Sequence, residues 1–422
     1  MFLRAARVGM GLRTAALAAC ALTGLACGHA AAVEISGLLD LRLLSTDTLQ
    51  SWPNAGLDKT RFDRASNGLR LGGAFLKIEG EVSSAVSAAV VFSAQDDRKG
   101  ALDVNEAWLA WSPVPTSAWK SRVRVGAFFP VTSIEFDYGS ISWTPRDTIS
   151  SSAINSWIGE ELRTIGLEYN LSRNGRLEGS PHDYGFTAAL YAANDPAGTL
   201  IAWRGWSVSD RISGLSETLP MANLPFFRPA PAQSQTQSRF INEFRELDHR
   251  LGFYVAANYA YASRIEVAAM RYDNRADPMV FNEGQYAWLT RFNHASLRLK
   301  QVGPWELSLQ VLQGDTLMGP GAVHLDFSSW FLLASRPLGP GTLALRYDKF
   351  SATERATDIV PLDPNSEDGQ ALAIAYHWKI SPAVSLVSEF LTVQSDRPAR
   401  SLIGSPVGRI EQSLTSSLRW RF

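Results

Sequence analysis

Ile410-Glu411-Gln412-Ser413-Leu414-Thr415-Ser416-Ser417-Leu418-Arg419-Trp420-Arg421-Phe422 is the stretch that decides how this chain is read. Ile410, Leu414, Leu418, Trp420 and Phe422 are apolar, while Glu411, Ser413, Thr415, Ser417, Arg419 and Arg421 stand between them. A strand sends alternate side chains to opposite faces, so one face here is greasy and the other charged or hydroxylic. At the edge of a soluble sandwich, such a strand would leave apolar surface open to aggregation. In the wall of a membrane barrel, the greasy face meets lipid and the polar face meets a lumen.

The other end of the chain carries the layout of an export signal. Arg4, Arg7 and Arg13 form a basic start, Thr14 to Ala26 is an uncharged stretch of 13 residues, and Ala30-Ala31-Ala32 supplies small side chains. The stretch is too short to span a bilayer as a helix and fits a secretory signal, with cleavage expected at Ala30 and Ala32 and a mature start at Val33. Lipid attachment at Cys20 competes, but only six uncharged residues separate it from Arg13. Cleavage after Ala32 removes Cys20 and Cys27, so disulfides and thiolate metal sites drop out. The expected organisation is a signal peptide at 1–32 and one unit at 33–422.

Composition favours a barrel over a soluble enzyme. A soluble protein of 422 residues would usually divide into domains, yet no linker, charge block or low-complexity tract interrupts this chain. A net charge of −1 gives no reason to expect nucleic acid as a partner. Mean hydropathy is −0.07, and no apolar run long enough for a helical span follows the signal. A barrel evades such a search because lipid-facing and lumen-facing residues alternate. The 13 Trp, 11 Tyr and 20 Phe suit aromatic girdles at the membrane interfaces, with Trp108, Trp111, Trp288, Trp305, Trp378 and Trp420 at expected strand ends.

Period-2 patterning places strands at 34–44, 68–80, 84–95, 102–112, 121–129, 161–171, 184–194, 248–261, 263–272, 285–301, 305–314, 325–335, 341–350, 369–380, 383–394 and 410–422. Sixteen is an even number, as a single-chain bacterial barrel requires. Two strands break alternation: Lys77 and Glu79 share parity with Leu71 and Phe75, and parity switches within 285–301. A bulge explains each, and so does a misplaced strand boundary. Short links at 80–84, 262–263, 302–304, 336–340 and 381–382 alternate with long ones at 45–67, 130–160, 195–247, 351–368 and 395–409, as periplasmic turns and external loops do. The links 172–183 and 96–101 depart from that rule.

With these features the chain resembles the bacterial porins, and within them the sixteen-stranded group around the phosphate-selective porins. The carrying residues are Val33-Glu34-Ile35-Ser36-Gly37, then Val123-Arg124-Val125-Gly126-Ala127-Phe128-Phe129-Pro130, and the terminal Trp420-Arg421-Phe422. The resemblance implies an all-β transmembrane barrel whose third outer loop, here 130–160, folds inward to narrow the pore. It implies a homotrimer in the outer membrane of a Gram-negative bacterium, surrounded by lipid and lipopolysaccharide. It also implies insertion by the barrel-assembly machinery, for which Leu418, Trp420 and Phe422 are the expected signal.

Pores select by the width and charge of a constriction. Arg122 and Arg124 lie on the inward parity of the fifth strand, and the candidate loop carries Glu135, Asp137, Arg146, Asp147, Glu160 and Glu161. A basic wall opposite an acidic loop is therefore the expected constriction. The loop lacks the ladder of basic residues that phosphate selectivity needs, so phosphate is not carried over. Loop 195–247 is aromatic, with Trp203, Trp206, Phe226, Phe227, Phe240 and Phe244, and packing is its plainest role. No His pair has metal spacing, and His377 has no nucleophile motif beside it, so neither cofactor nor catalytic site is expected. The expected function is a diffusion channel for small hydrophilic solutes or ions; the alternative is a plugged barrel that binds ligands through its long loops.

Overall fold

A computed structural model describes residues 33–98, 100, 102–136, 141–228, 236–319, 321–355 and 364–422. The expected signal segment, with Ala30 and Ala32, lies outside the described residues, as does Asp137.

Alternation is strong enough along the chain to close sixteen strands into one antiparallel barrel in sequence order. They are β1 (Val33–Thr46), β2 (Gly68–Ser83), β3 (Val86–Ala94), β4 (Asp103–Trp111), β5 (Trp119–Phe128), β6 (Thr164–Arg173), β7 (His182–Ala192) and β8 (Gly252–Tyr261). The second half comprises β9 (Ile265–Asp273), β10 (Leu289–Val302), β11 (Trp305–Met318), β12 (Val323–Leu338), β13 (Gly341–Glu354), β14 (Glu367–Lys379), β15 (Val384–Asp396) and β16 (Gly408–Arg421). The last strand returns to the first, with Leu41 opposite Leu418 and Leu39 opposite Trp420. Closure gives every barrel strand of the described residues a neighbour on both sides, which a bilayer demands because it offers no water to backbone groups.

The two faces separate as the parity predicts. Ile35, Leu41, Leu43, Leu414 and Leu418 are exposed on the outside, while Leu38, Asp40, Arg42 and Leu44 are buried within. Trp111, Trp378 and Trp420 are exposed. Trp108 and Trp288 correct the girdle expectation: Trp108 faces a lumen cavity, and Trp288 is fully buried against Trp203 at 4.9 Å. No helix of the described residues is long and apolar enough to cross a membrane.

Of the two parity anomalies, only the first is a bulge. Asp40 pairs with Gly73 and Leu41 with Leu71, so Gly72 is the extra residue, and the shift turns Lys77 and Glu79 into the lumen. In β10 the alternation runs unbroken from Leu289 to Leu299, and the register shifts only at the turn. The apparent switch arises because Phe292 points inward onto an apolar filling, while Arg291 faces out beside Asp315 at 2.5 Å. The long turn between β6 and β7 holds a 3₁₀ segment, Gly175–Glu178.

Candidate pore constriction and lumen plug

Chain geometry at the end of β5 directs the next loop into the barrel. Gly126 has φ 134°, and a Cβ there would lie 2.2 Å from the Ala107 carbonyl oxygen. Only glycine allows that conformation and that approach together. Loop 129–163 then crosses to the opposite wall. Arg346 of β13 donates to Glu135 at 2.9 Å, to Asp348 at 2.8 Å and to the Ser151 carbonyl at 2.9 Å. Glu389 of β15 accepts the N–H groups of Ile149 and Ser150 at 2.8 and 3.0 Å. Ser152 caps helix α1 (Ala153–Glu161) by accepting from Asn155 N–H, and every residue of α1 is buried. Trp157 packs edge-on against Phe292, Phe327 and Trp206. A large apolar side chain buried this fully contributes about 1.5–3 kcal/mol.

The second long loop, 193–251, also enters the barrel. Its short helix α2 (Thr199–Trp203) is buried throughout, and Trp203 lies within 4.9 Å of Phe226, Phe227 and Trp288. Arg163 joins the two loops: its guanidinium lies 3.7 Å from the Phe129 ring centre and donates to the carbonyls of Asn105 and Ser213. Burial pushes Arg163 down to about 9. Asp195, at the foot of the loop, accepts Leu247 N–H at 2.5 Å and Asp248 N–H at 3.2 Å. Burial and the nearby acids Asp248 and Glu246 push it up to about 7. The carboxylates of Asp195, Glu246 and Asp248 converge within 4.8 Å.

This packing corrects the expected acidic face. Glu160 is fully buried and takes hydrogen bonds from Arg204, Ser207 and Ser209. Glu161 is fully buried, accepting from Gly198 and Leu200 N–H at 2.8 Å and from the Trp157 indole. Glu135 turns to the far wall and Arg346. None of the three lines the cavities that hold Arg124 or Arg146, because buried carboxylates need donors: the second loop supplies them to Glu160 and Glu161, and β13 to Glu135.

Arg122, Arg124, Arg146 and Asp147 do line cavities, in two different places. The first, about 450 Å³, lies between loop 129–163 and the wall β2–β6. Lys77, Arg122 and Arg124 line it together with Glu79, Glu106 and Glu168. Arg124 pairs with Glu168 at 2.8 Å and sits 3.8 Å from the Phe128 ring centre; Arg122 lies 5.1 Å from that of Trp108. The loop side, with Pro130, Val131, Thr132 and Ser133, is uncharged. The mixed charge therefore belongs to the wall itself. The second cavity, about 540 Å³, opens at the turn end. There Arg146, bound to Asp147 at 2.8 Å and Glu306 at 2.6 Å, meets Lys300, Lys379 and Arg421. Of the expected constriction residues, Arg122 and Arg124 share the first cavity, and Arg146 and Asp147 the second. The sequence reading missed Lys77, Glu106, Glu168 and Arg346, although the odd parity of Lys77 and Glu79 was a usable signal.

No protein-family model matches the chain, and no curated protein does. Solved structures do. The outer-membrane channel DcaP of Acinetobacter baumannii superposes with a TM-score of 0.54 at 10% identity, over 93% of this chain and 97% of that one. A loop-deletion mutant of OmpT, an outer-membrane protein of Vibrio cholerae, gives 0.52 at 10% identity over 93% and 100%. OmpF of Salmonella typhi gives 0.50 at 8% identity over 92% and 97%. At such identities the likeness is one of fold, and with its closed sixteen-stranded wall the chain has the fold of the Gram-negative outer-membrane porins.

Proposed function

We propose that this protein is an outer-membrane diffusion channel for small hydrophilic solutes or ions, narrowed where loop 129–163 faces β2–β6. The observation that carries the reading is the charged cavity of about 450 Å³ at that place. Its cations and carboxylates stand side by side on one wall, so a passing solute meets a local field in a partly dehydrated passage, where charges interact more strongly than in bulk water. At the turn-end cavity Arg146, Lys300, Lys379 and Arg421 outnumber Asp147 and Glu306, which favours anions. Assembly as a homotrimer is part of the proposal and is tested by cross-linking in native membranes.

Planar-bilayer recording of the refolded chain in a salt gradient tests the channel. Arg124→Ala leaves Glu168 without its cation, so the reversal potential shifts toward cations. Glu160→Ala, whose carboxylate is buried on Arg204, leaves ion preference unchanged. If Arg122→Ala and Arg124→Ala both keep wild-type conductance and selectivity, the cavity is not the constriction. A second reading rests on the filling of the loop end of the lumen by α1 and α2: a plugged barrel that binds ligands through its loops. Absence of any conductance favours that reading.

A further inference from the structure

The cavity beside β2–β6 holds three cations and three carboxylates, and four of these six groups are bound to one another. Lys77 pairs with Glu79 at 2.5 Å, and Arg124 with Glu168 at 2.8 Å. Glu168 also takes the Tyr254 hydroxyl. Arg122 and Glu106 are left. Among the described residues neither forms an ion pair, and Arg122 lies instead against the Trp108 ring, 5.1 Å from its centre. The cations nearest Glu106 have partners elsewhere: Lys77 and Arg124 hold the carboxylates just named, and Arg163 donates to backbone carbonyls.

The register sets these two groups apart along the pore. Glu106 and Trp108 are successive inward residues of β4, about 7 Å apart along the strand. Trp108 stands opposite Gly126 of β5, and Arg122 starts four residues nearer the turn end. Its side chain reaches back to the indole. From the loop end, a solute therefore meets a carboxylate, an indole and a guanidinium in that order.

We propose that Glu106, Trp108 and Arg122 form a two-point site for amphoteric solutes: the solute's ammonium group rests on Glu106, its carboxylate on Arg122, and its carbon chain along Trp108. A guanidinium offers a carboxylate two parallel donors, and a carboxylate accepts from an ammonium. A simple anion or cation finds only half of the site, in a cavity whose other charges cancel. The gap between the two points suits charges several bonds apart, as in an ω-amino acid or a short peptide. It is too long for the adjacent groups of an α-amino acid. This assignment names a solute class and rests on the channel reading.

Titration calorimetry on the refolded full chain tests the site with three probes of similar size: γ-aminobutyrate, butyrate and butylammonium. γ-Aminobutyrate should bind about tenfold more tightly than either singly charged probe, since each of those forgoes one charge-assisted contact. Arg122→Ala should lower γ-aminobutyrate affinity to about the level of butylammonium, and Glu106→Gln to about that of butyrate. Arg122→Lys, which keeps the charge but not the fork, should fall between wild type and Arg122→Ala. Butyrate binding as tightly as γ-aminobutyrate would make this an anion site and overturn the proposal. So would unchanged affinity in both variants, or no binding of γ-aminobutyrate to wild type. Should the variants not fold, the three probes on wild type decide. Planar-bilayer conductance in KCl separates the two readings. Conductance with no preference for γ-aminobutyrate keeps the channel and rejects the site; that preference without conductance keeps the site and rejects the channel.

Discussion

Arg346 shows what one side chain does for this barrel. It is fully buried and satisfies Glu135 from the loop, Asp348 from its own strand, and the Ser150 and Ser151 carbonyls. Removing it leaves two carboxylates buried without their cation, a loss of about 3–5 kcal/mol for a pair broken from one side. Arg346→Ala should lower the urea midpoint of the folded barrel and raise its conductance, because loop 129–163 loses its far anchor. Arg346→Lys should not restore either property, since an ammonium cannot span acceptors that a planar fork reaches. Wild-type unfolding and conductance in Arg346→Ala would mean that Glu389 and α1 hold the loop unaided.

At the scale of elements, one glycine and one ring complete the closure of β1 on β16, beyond the pairs from Leu38–Arg421 to Thr46–Ser413. Gly37 N–H donates to the Phe422 carbonyl at 2.9 Å, and Phe422 N–H donates back at 3.2 Å. A Cβ on Gly37 would lie 2.2 Å from the Phe422 ring, so glycine makes the slot in which the terminal aromatic rests. Trp420 lies beside it with ring centres 4.9 Å apart. Gly37→Val and deletion of Phe422 should each reduce the folded, heat-modifiable form on gels and lower outer-membrane yield. The valine variant isolates seating of the ring from its presence. Unchanged yield in both would remove Phe422 from any role in assembly.

At the scale of the molecule, wall and filling are separable. The ladders run from strand to sequential strand without using either inward loop. The two ends of loop 193–251 meet where Asp195 accepts the Leu247 and Asp248 N–H groups. Replacing residues 196–247 by a short Gly/Ser link should therefore preserve the barrel and its heat-modifiable migration. It should increase conductance, since α2 and its aromatic cluster leave the lumen. Loss of the folded form would show instead that inward Phe292 and Phe327 need Trp157 and Trp206 as a core before the wall can close.

Most of the wall was legible in the sequence, because a strand's period of two writes its lipid and lumen faces directly into the chain. Ile410 to Phe422 announced it, and even the Gly72 bulge left a trace in the misplaced parity of Lys77 and Glu79. Loop 129–163 was visible through its length and its place after β5. Its chemistry was not, because partners on other elements, from 37 to 211 residues away, decide which charges meet water. Glu135 found Arg346, Glu160 found Arg204, and Glu161 found Gly198 and Leu200. Local alternation sets which side of a wall a residue faces; only the closed barrel, by bringing distant loops into one lumen, determines which of the inward charges remain available to a solute.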